Sequence, residues 1–248
     1  MVERPRPEIE LLPGALALAD LHLDPNTAPE ATSFASYLEA LDVPQLLILG
    51  DLFDAWVGPA HESSPGGAIV CAALRASVRR GTRVDLLHGN RDFLLGTSIE
   101  RSTGARVHPE GCVGLTVKGE RVLFLHGDEL CTRDRAYQRL RRVTHSAPLQ
   151  WIGPRVPFVL SRRLAALMRR TSVQAVAAKP SEEKAMQLDT AQRLAGLHEC
   201  TTLVVGHAHS ARDEDHRGLR WIVLDAYGGA RDALRVGPEG TLELVSAR

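Results

Sequence analysis

The chain has 248 residues, 44% of them hydrophobic, and 30 Lys plus Arg balance 30 Asp plus Glu, so the formal net charge is zero. That size and composition exclude a disordered chain and fit one domain, or one domain with an insert, around a sizeable core. No apolar run approaches the ~20 residues needed to cross a bilayer.

The first ten residues carry Glu3, Arg4, Arg6, Glu8 and Glu10. They lack the basic-then-apolar pattern of a signal peptide, so a cytoplasmic protein is expected. An apolar run at 15–19 then leads into Asp20-Leu21-His22. A helix is predicted near 31–42, and the next apolar run, 46–49, meets Gly50-Asp51-Leu52-Phe53-Asp54. A second helix near 66–80 precedes the run 84–87, which ends on His88 and then Gly89-Asn90-Arg91-Asp92. The run 122–125 closes on His126-Gly127-Asp128. Apolar runs of four or five residues fit strands buried on both faces, and alternation with helices reads as an α/β sheet.

After His126 the pattern changes. Residues 133–145 and 158–171 read as arginine-rich helices, with Pro148, Gly153, Pro154 and Pro157 breaking the chain between them. From Arg133 to Arg170 there are ten arginines and one acid, Asp134, an excess of 10 − 1 = +9. This is either an anion-binding surface or a solvated helical face. A further helix is predicted at 181–196, beginning near Ser181, Glu183 and Lys184. Residues 130–198 are therefore read as a helical lid insertion, with 1–129 and 199–248 as the core. The run 203–205 enters Gly206-His207-Ala208-His209, and strands follow near 219–225, 231–236 and 241–245. One sheet is expected to carry the first four polar islands, with a second built partly from the C-terminal strands.

All five islands fall at strand ends, where open α/β sheets bind ligands. They can meet although they span nearly the whole chain. Asp, His and Asn together suit Mn, Fe, Co or Zn better than calcium, which prefers oxygen alone. A pair of such ions ~3.5–4 Å apart supports in-line attack of water on phosphorus without a protein nucleophile. Single islands are weak signals. His61, His88, His108, His145, His198 and His216 are read as ordinary core or surface histidines, and Cys71, Cys112, Cys131 and Cys200, scattered without a CxxC pair, as buried hydrophobes.

The order DxH, GDxxD, GNxD, HGD, GHxH resembles the calcineurin-like metallophosphoesterases, an α/β fold of two sheets flanked by helices. The longer strings ADLHL (19–23), LILGDLFDAWVG (47–58), HGNRDFLLG (88–96) and LHGDELCTRDRAYQ (125–138) resemble the UDP-2,3-diacylglucosamine hydrolases of the lipid A pathway. The resemblance runs from about residue 15 to about 210. It implies a hydrolase that cleaves a nucleotide-sugar lipid at its pyrophosphate, using two divalent metals, most readily manganese. Asp20, His22 and His209 would hold one metal, Asn90, His126 and His207 the other, and Asp51 would bridge them. Asp51, Asn90, Arg91 and His126 would be catalytic. Arg91, Asp134, Tyr137, Arg169, Ser172, Lys179 and His207 would contact substrate. Asp54, Asp92 and Asp128 would orient ligands or turn amides.

The resemblance also implies a groove between lid and core for two acyl chains, so the basic lid is expected to touch a membrane surface from the cytoplasmic side. Few aromatics interleave the arginines, so no nucleic acid partner is expected. The chain departs from the family pattern at two places. In the last island Ala208 and Ala211 stand where GHTHxP has threonine and proline, and in the lid Val176 stands where the pattern has asparagine. Val176 cannot replace an amide's hydrogen bonds, which leaves open a relative that cleaves another nucleotide-linked pyrophosphate or phosphodiester.

Overall fold

In the computed structural model, residues 5–157, 159–160 and 185–248 are described. Most of the expected helix at 158–171, the start of the one at 181, and Arg169, Ser172, Val176 and Lys179 lie outside them.

Two six-stranded sheets pack face to face. The first runs in the order β12 (Leu242–Val245), β11 (Ala233–Val236), β2 (Leu16–Leu18), β3 (Gln45–Ile48), β4 (Arg83–Leu87), β5 (Arg106–His108). Strands β2 to β5 are parallel, and β11 and β12 are antiparallel additions. The second runs β1 (Glu8–Glu10), β6 (Cys112–Leu115), β7 (Arg121–Phe124), β8 (Thr202–Val205), β10 (Arg220–Val223), β9 (Arg212–Asp215). In it β7, β8 and β10 are mutually parallel.

The apolar runs are continuous because both faces of these strands are buried. Side chains alternate across a strand, so Leu46 and Ile48 face outward to α1 (Pro29–Ala40), α2 (Pro65–Arg79) and α3 (Thr97–Thr103), meeting Phe34, Leu38, Val70, Leu74 and Ile99. Leu47 and Leu49 face the other sheet, meeting Phe124, Val204 and Ile222. On the far face of the second sheet, Leu123, Leu203 and Val205 pack with Ala191, Leu194 and Ala195 of α6 (Leu188–Leu197). This helix lies on the sheet although its residues fall inside the expected insertion.

Two expectations are corrected. The fourth island follows β7 in the second sheet, not the first; as expected, the second sheet is built partly from C-terminal strands, β9 and β10, while β11 and β12 join the first. Short apolar runs carry no signal of which neighbour they pair with. The break expected at Pro148 is instead the start of α5 (Ala147–Ile152). In a helix's first turn a proline loses no hydrogen bond. The preceding helix, α4, spans Arg135–Thr144.

Candidate active site

Strands β2, β3 and β4 of one sheet and β7 and β8 of the other deliver their C-terminal loops to a common place. Three backbone features fix those loops. Gly50 has φ +91°, and a Cβ there would sit 2.7 Å from His126 Nδ1. Asp92, wholly buried, accepts from the amides of Gly89 (2.8 Å), Asp51 (3.3 Å) and Phe53 (3.3 Å), so it ties the second island to the third. Asp20 Oδ2 accepts from His207 N at 2.6 Å, tying the first to the last.

Among the described residues seven non-glycines have positive φ, and five are Asp20 (54°), His22 (50°), Asp51 (50°), His207 (66°) and His209 (50°). Asp and His tolerate this region better than most residues. Its concentration in one constellation still marks side chains held where chemistry, not backbone comfort, requires them.

The side chains converge in two groups. In the first, His22 Nε2 lies 3.2 Å from His209 Nε2, and Asp20 Oδ1 lies 3.4 Å from His209 Nε2 and 3.9 Å from His22 Nε2. In the second, His126 Nε2 lies 3.0 Å from Asn90 Oδ1 and 3.2 Å from His207 Nδ1. Asp51 Oδ2 stands between them, 3.7 Å from His22 and 3.8 Å from His126. Asp51 Oδ1 is fixed by Arg91 N at 2.9 Å.

This donor set fits cations. The Leu49 carbonyl can only accept, so His126 Nδ1 carries the proton donated to it at 2.9 Å, and Nε2 is the ring nitrogen left facing Asn90 and His207. Nitrogen and oxygen atoms facing one another at these distances repel unless a proton or a metal ion lies between them. Asp20 Oδ1 and His22 Nδ1 are buried without a hydrogen-bond partner. Asp20, His22 and His209, and likewise Asp20, Asp51 and His126, place one ligand atom each within 4.8 Å of one another.

The charges agree. Burial raises the Asp51 carboxyl well above the ordinary range. Burial would lower His126, but Asp51, Asp20 and Asp128 outweigh it and hold it up. Burial, with His126 alongside, lowers His207 to about 4, and burial, with Arg91 alongside, lowers His22 to about 4. Those two imidazoles are neutral at physiological pH, as metal ligation requires.

Arg91 pairs with Asp54, and its Nε stands 3.5 Å from Asp51 Oδ2. Its side chain remains 38% exposed, so the guanidinium borders the site with donors to spare. Among the histidines read as ordinary, His108 pairs with Asp85 (2.8 Å), His88 donates to Leu95 O (2.6 Å), and His216 pairs with Glu214 (3.0 Å). Cys71, Cys112, Cys131 and Cys200 are buried thiols.

Helix α4 is inverted relative to an ordinary surface helix. Asp134 caps it, accepting from Tyr137 N at 2.9 Å. Tyr137 donates its hydroxyl to Asp128, Gln138 Nε2 donates to Asp128 O (3.0 Å), and Arg141 binds Asp128 (2.8 Å) and Glu129 (3.1 Å). Arg6 reaches the same Glu129 at 3.1 Å. Sequence reasoning missed Arg141, Glu129 and Arg6. The available signal was spacing, because 134, 137, 138 and 141 fall along one helical stripe. With polar groups turned inward, Leu140, Val143, Trp151, Ile152, Val159 and Leu160 are exposed. Gln150 Nε2 donates to Phe93 O at 2.9 Å, seating α5 beside the loop that carries Asn90 and Arg91.

Comparison with known proteins is decisive on family. A UDP-2,3-diacylglucosamine hydrolase of Azotobacter vinelandii is 36% identical over 231 residues, 91% of this chain and 95% of its own. One from Salmonella agona is 36% identical over 238 residues, 93% and 98% of the two chains. The chain belongs to the UDP-2,3-diacylglucosamine hydrolase family. A Pseudomonas aeruginosa member is 34% identical over 91% of this chain and 95% of its own. No family model matches the chain. Among solved structures, an archaeal phosphodiesterase covers 93% of this chain and 98% of its own at 9% identity and a TM-score of 0.46, a likeness too remote to carry an argument. The two helix-flanked sheets match the two-sheet arrangement that the motif order implied. No helix among the described residues is long and apolar enough to cross a membrane.

Proposed function

We propose that this protein hydrolyses the pyrophosphate bond of UDP-2,3-diacylglucosamine, giving UMP and 2,3-diacylglucosamine 1-phosphate (lipid X). The supporting observation is the convergence of seven donor side chains in two groups sharing Asp51, in a chain whose relatives carry that activity in their name. Asp20, His22 and His209 would hold one divalent ion, Asn90, His126 and His207 a second, and Asp51 both. The family resemblance points to manganese, and the mixed oxygen and nitrogen set also admits Fe, Co or Zn. When bound, such a pair supplies an activated water at neutral pH and neutralises charge on phosphoryl oxygens.

The chain's own groups do the rest. Arg91 offers a planar fork to a phosphate, with Asp54 holding its orientation and Asp51 N and O atoms locked by Asp92 and Arg91. His207 and, from the lid, Tyr137, Asp134, Arg169, Ser172 and Lys179 form the substrate side of the site in this reading. Residues 130–198 act as the lid on a core of 1–129 and 199–248. The outward apolar residues of α4 and α5, interspersed with exposed Arg135, Arg139 and Arg142, suit acyl chains beneath anionic headgroups. In this reading the protein works in the cytoplasm, peripheral to the inner face of the membrane.

The test is UMP release from UDP-2,3-diacylglucosamine by metal-stripped protein, with and without manganese, beside Asp51→Ala. Manganese-dependent release that Asp51→Ala abolishes supports the reading. Cleavage of bis-p-nitrophenyl phosphate without UMP release sinks the substrate and keeps the site.

A further inference from the structure

The loop between β10 and β11 contains none of the five islands, yet it grips two of them. Tyr227 N donates to Ala19 O at 3.2 Å, immediately before Asp20. Asp225 Oδ1 accepts from Ala211 N at 2.7 Å, and Arg231 Nη2 donates to Ala211 O at 2.6 Å, two residues after His209. Both polar groups of the Ala211 backbone are therefore held by side chains of one loop.

The loop is itself rigid. Asp225 N donates to Arg231 O and Arg231 N to Asp225 Oδ2, each at 3.1 Å. Gly229 N donates to Ala226 O at 2.9 Å, and a Cβ on Gly229 would collide with the Asp225 side chain. Fully buried Asp232 closes the base by accepting from Gly228 N (2.6 Å) and Ala247 N (2.7 Å).

His209 needs such support. Its side chain is 44% exposed, against 22% for His22 and none for Asp20, so packing does little to hold it. Its backbone sits at φ 50°, a region that must be imposed by its neighbours. We infer that Asp225 and Arg231 are positioning residues that brace His209 against Asp20 and so set the affinity of the Asp20, His22, His209 half of the metal centre. The inference rests on the dimetal reading above. Outer partners of metal ligands typically change metal affinity 10–100-fold, and Asp225 and Arg231 act as such partners through the backbone two residues after His209. Asp225 is the larger contributor, because its two oxygens hold both the Ala211 amide and the Arg231 amide. Arg231, more exposed, adds to it.

The experiment is a manganese(II) titration of the full-length, metal-stripped protein, followed calorimetrically and by the electron paramagnetic resonance of the ion. The parent should take two ions that give a spin-coupled signal. Asp225→Ala should keep one affinity and weaken the other by roughly 10–100-fold, so that one ion per chain gives an isolated six-line spectrum. Asp225→Asn, which keeps one acceptor and guards against a folding defect, should fall between. Arg231→Ala should move in the same direction by less. Adding Asp225→Ala to His209→Ala should cause no further loss, since the braced ligand is already gone. Equal weakening of both ions, or unchanged binding of both, would overturn the inference. A parent that binds fewer than two ions would instead overturn the dimetal reading, and this inference with it.

Discussion

Arg141 is the root of α4, and its removal should be costly in a calculable way. The side chain is 18% exposed, and it binds Asp128 and Glu129, whose side chains are 4% and 13% exposed. Removing one partner of a buried ion pair leaves an uncompensated charge at about 3–5 kcal/mol. Here Glu129 keeps Arg6 and Asp128 keeps the Tyr137 hydroxyl. The lower end, about 3 kcal/mol, is therefore expected for Arg141→Ala. For a chain of this size that is roughly 6–12 °C in the unfolding midpoint, at about 2–4 °C per kcal/mol. The assay is thermal and urea unfolding of metal-stripped protein near pH 7. A pH series adds a second reading. Burial would raise the Asp128 carboxyl, but Arg141, His126, His207 and Tyr137 bring it well below the ordinary range. A depressed carboxyl contributes stability that is present above its unfolded pKa, about 3.9, and lost as pH falls through the folded value. Arg141→Ala should forfeit most of that contribution at neutral pH and show a shallower acid dependence. A midpoint within 2 °C of the parent, taken as about 1 kcal/mol or less, would refute the argument that these charges are effectively desolvated.

Tyr137→Phe deletes a hydroxyl that bonds to a charged partner, so a loss of about 1.5–3 kcal/mol is expected, smaller on the Arg141→Ala background; a raised KM at unchanged stability would instead assign the hydroxyl to substrate. Burial holds the His88 imidazole down at about 4. The unfolded chain binds that proton near pH 6.5, so the contribution of His88 is complete above 6.5 and falls by on the order of 3 kcal/mol towards pH 4. His88→Gln should flatten that stretch of the stability curve, measured by urea unfolding at stepped pH. Arg91→Ala should lower kcat by about 10²–10³-fold, the scale of losing one preorganised charge donor, while leaving manganese stoichiometry at the parent value; loss of a metal would mean that Arg91 acts through Asp51.

What could be read in the sequence, and what could not, follows from range. Asp20, Asp51, Asn90, His126, His207 and His209 were legible because each closes a run such as Leu46–Leu49, whose alternate residues are buried on opposite faces. Short strands without such a run left no trace. β1 reads Glu-Ile-Glu and β9 is Arg-Asp-Glu-Asp, both largely exposed. Sheet membership was equally hidden, since β11 joins β2 across more than two hundred residues. The second half of the site's support, Asp225 and Arg231, lies in a turn of small and polar residues that resembles any other turn until its partners are seen. Asp134 combined both cases: its side chain caps α4, a local role visible in principle from an Asp before Arg-Ala-Tyr.

The five loops belong to two different sheets, so the distance between the two sheets is also a dimension of the site. That distance is set by the layer where Ala15, Ala17, Ala19, Leu47 and Leu49 share one cluster with Phe124, Val204 and Ile222. The three alanines act as a gauge, since they are the thin side of the layer. A larger residue at Ala17, itself only 2% exposed, would have to push the sheets apart in a close-packed interior. Displacements well under an ångström can cost an order of magnitude or more in rate where geometry is this demanding. The catalytic tolerance of the protein is therefore written partly in methyl groups that no substrate will ever meet.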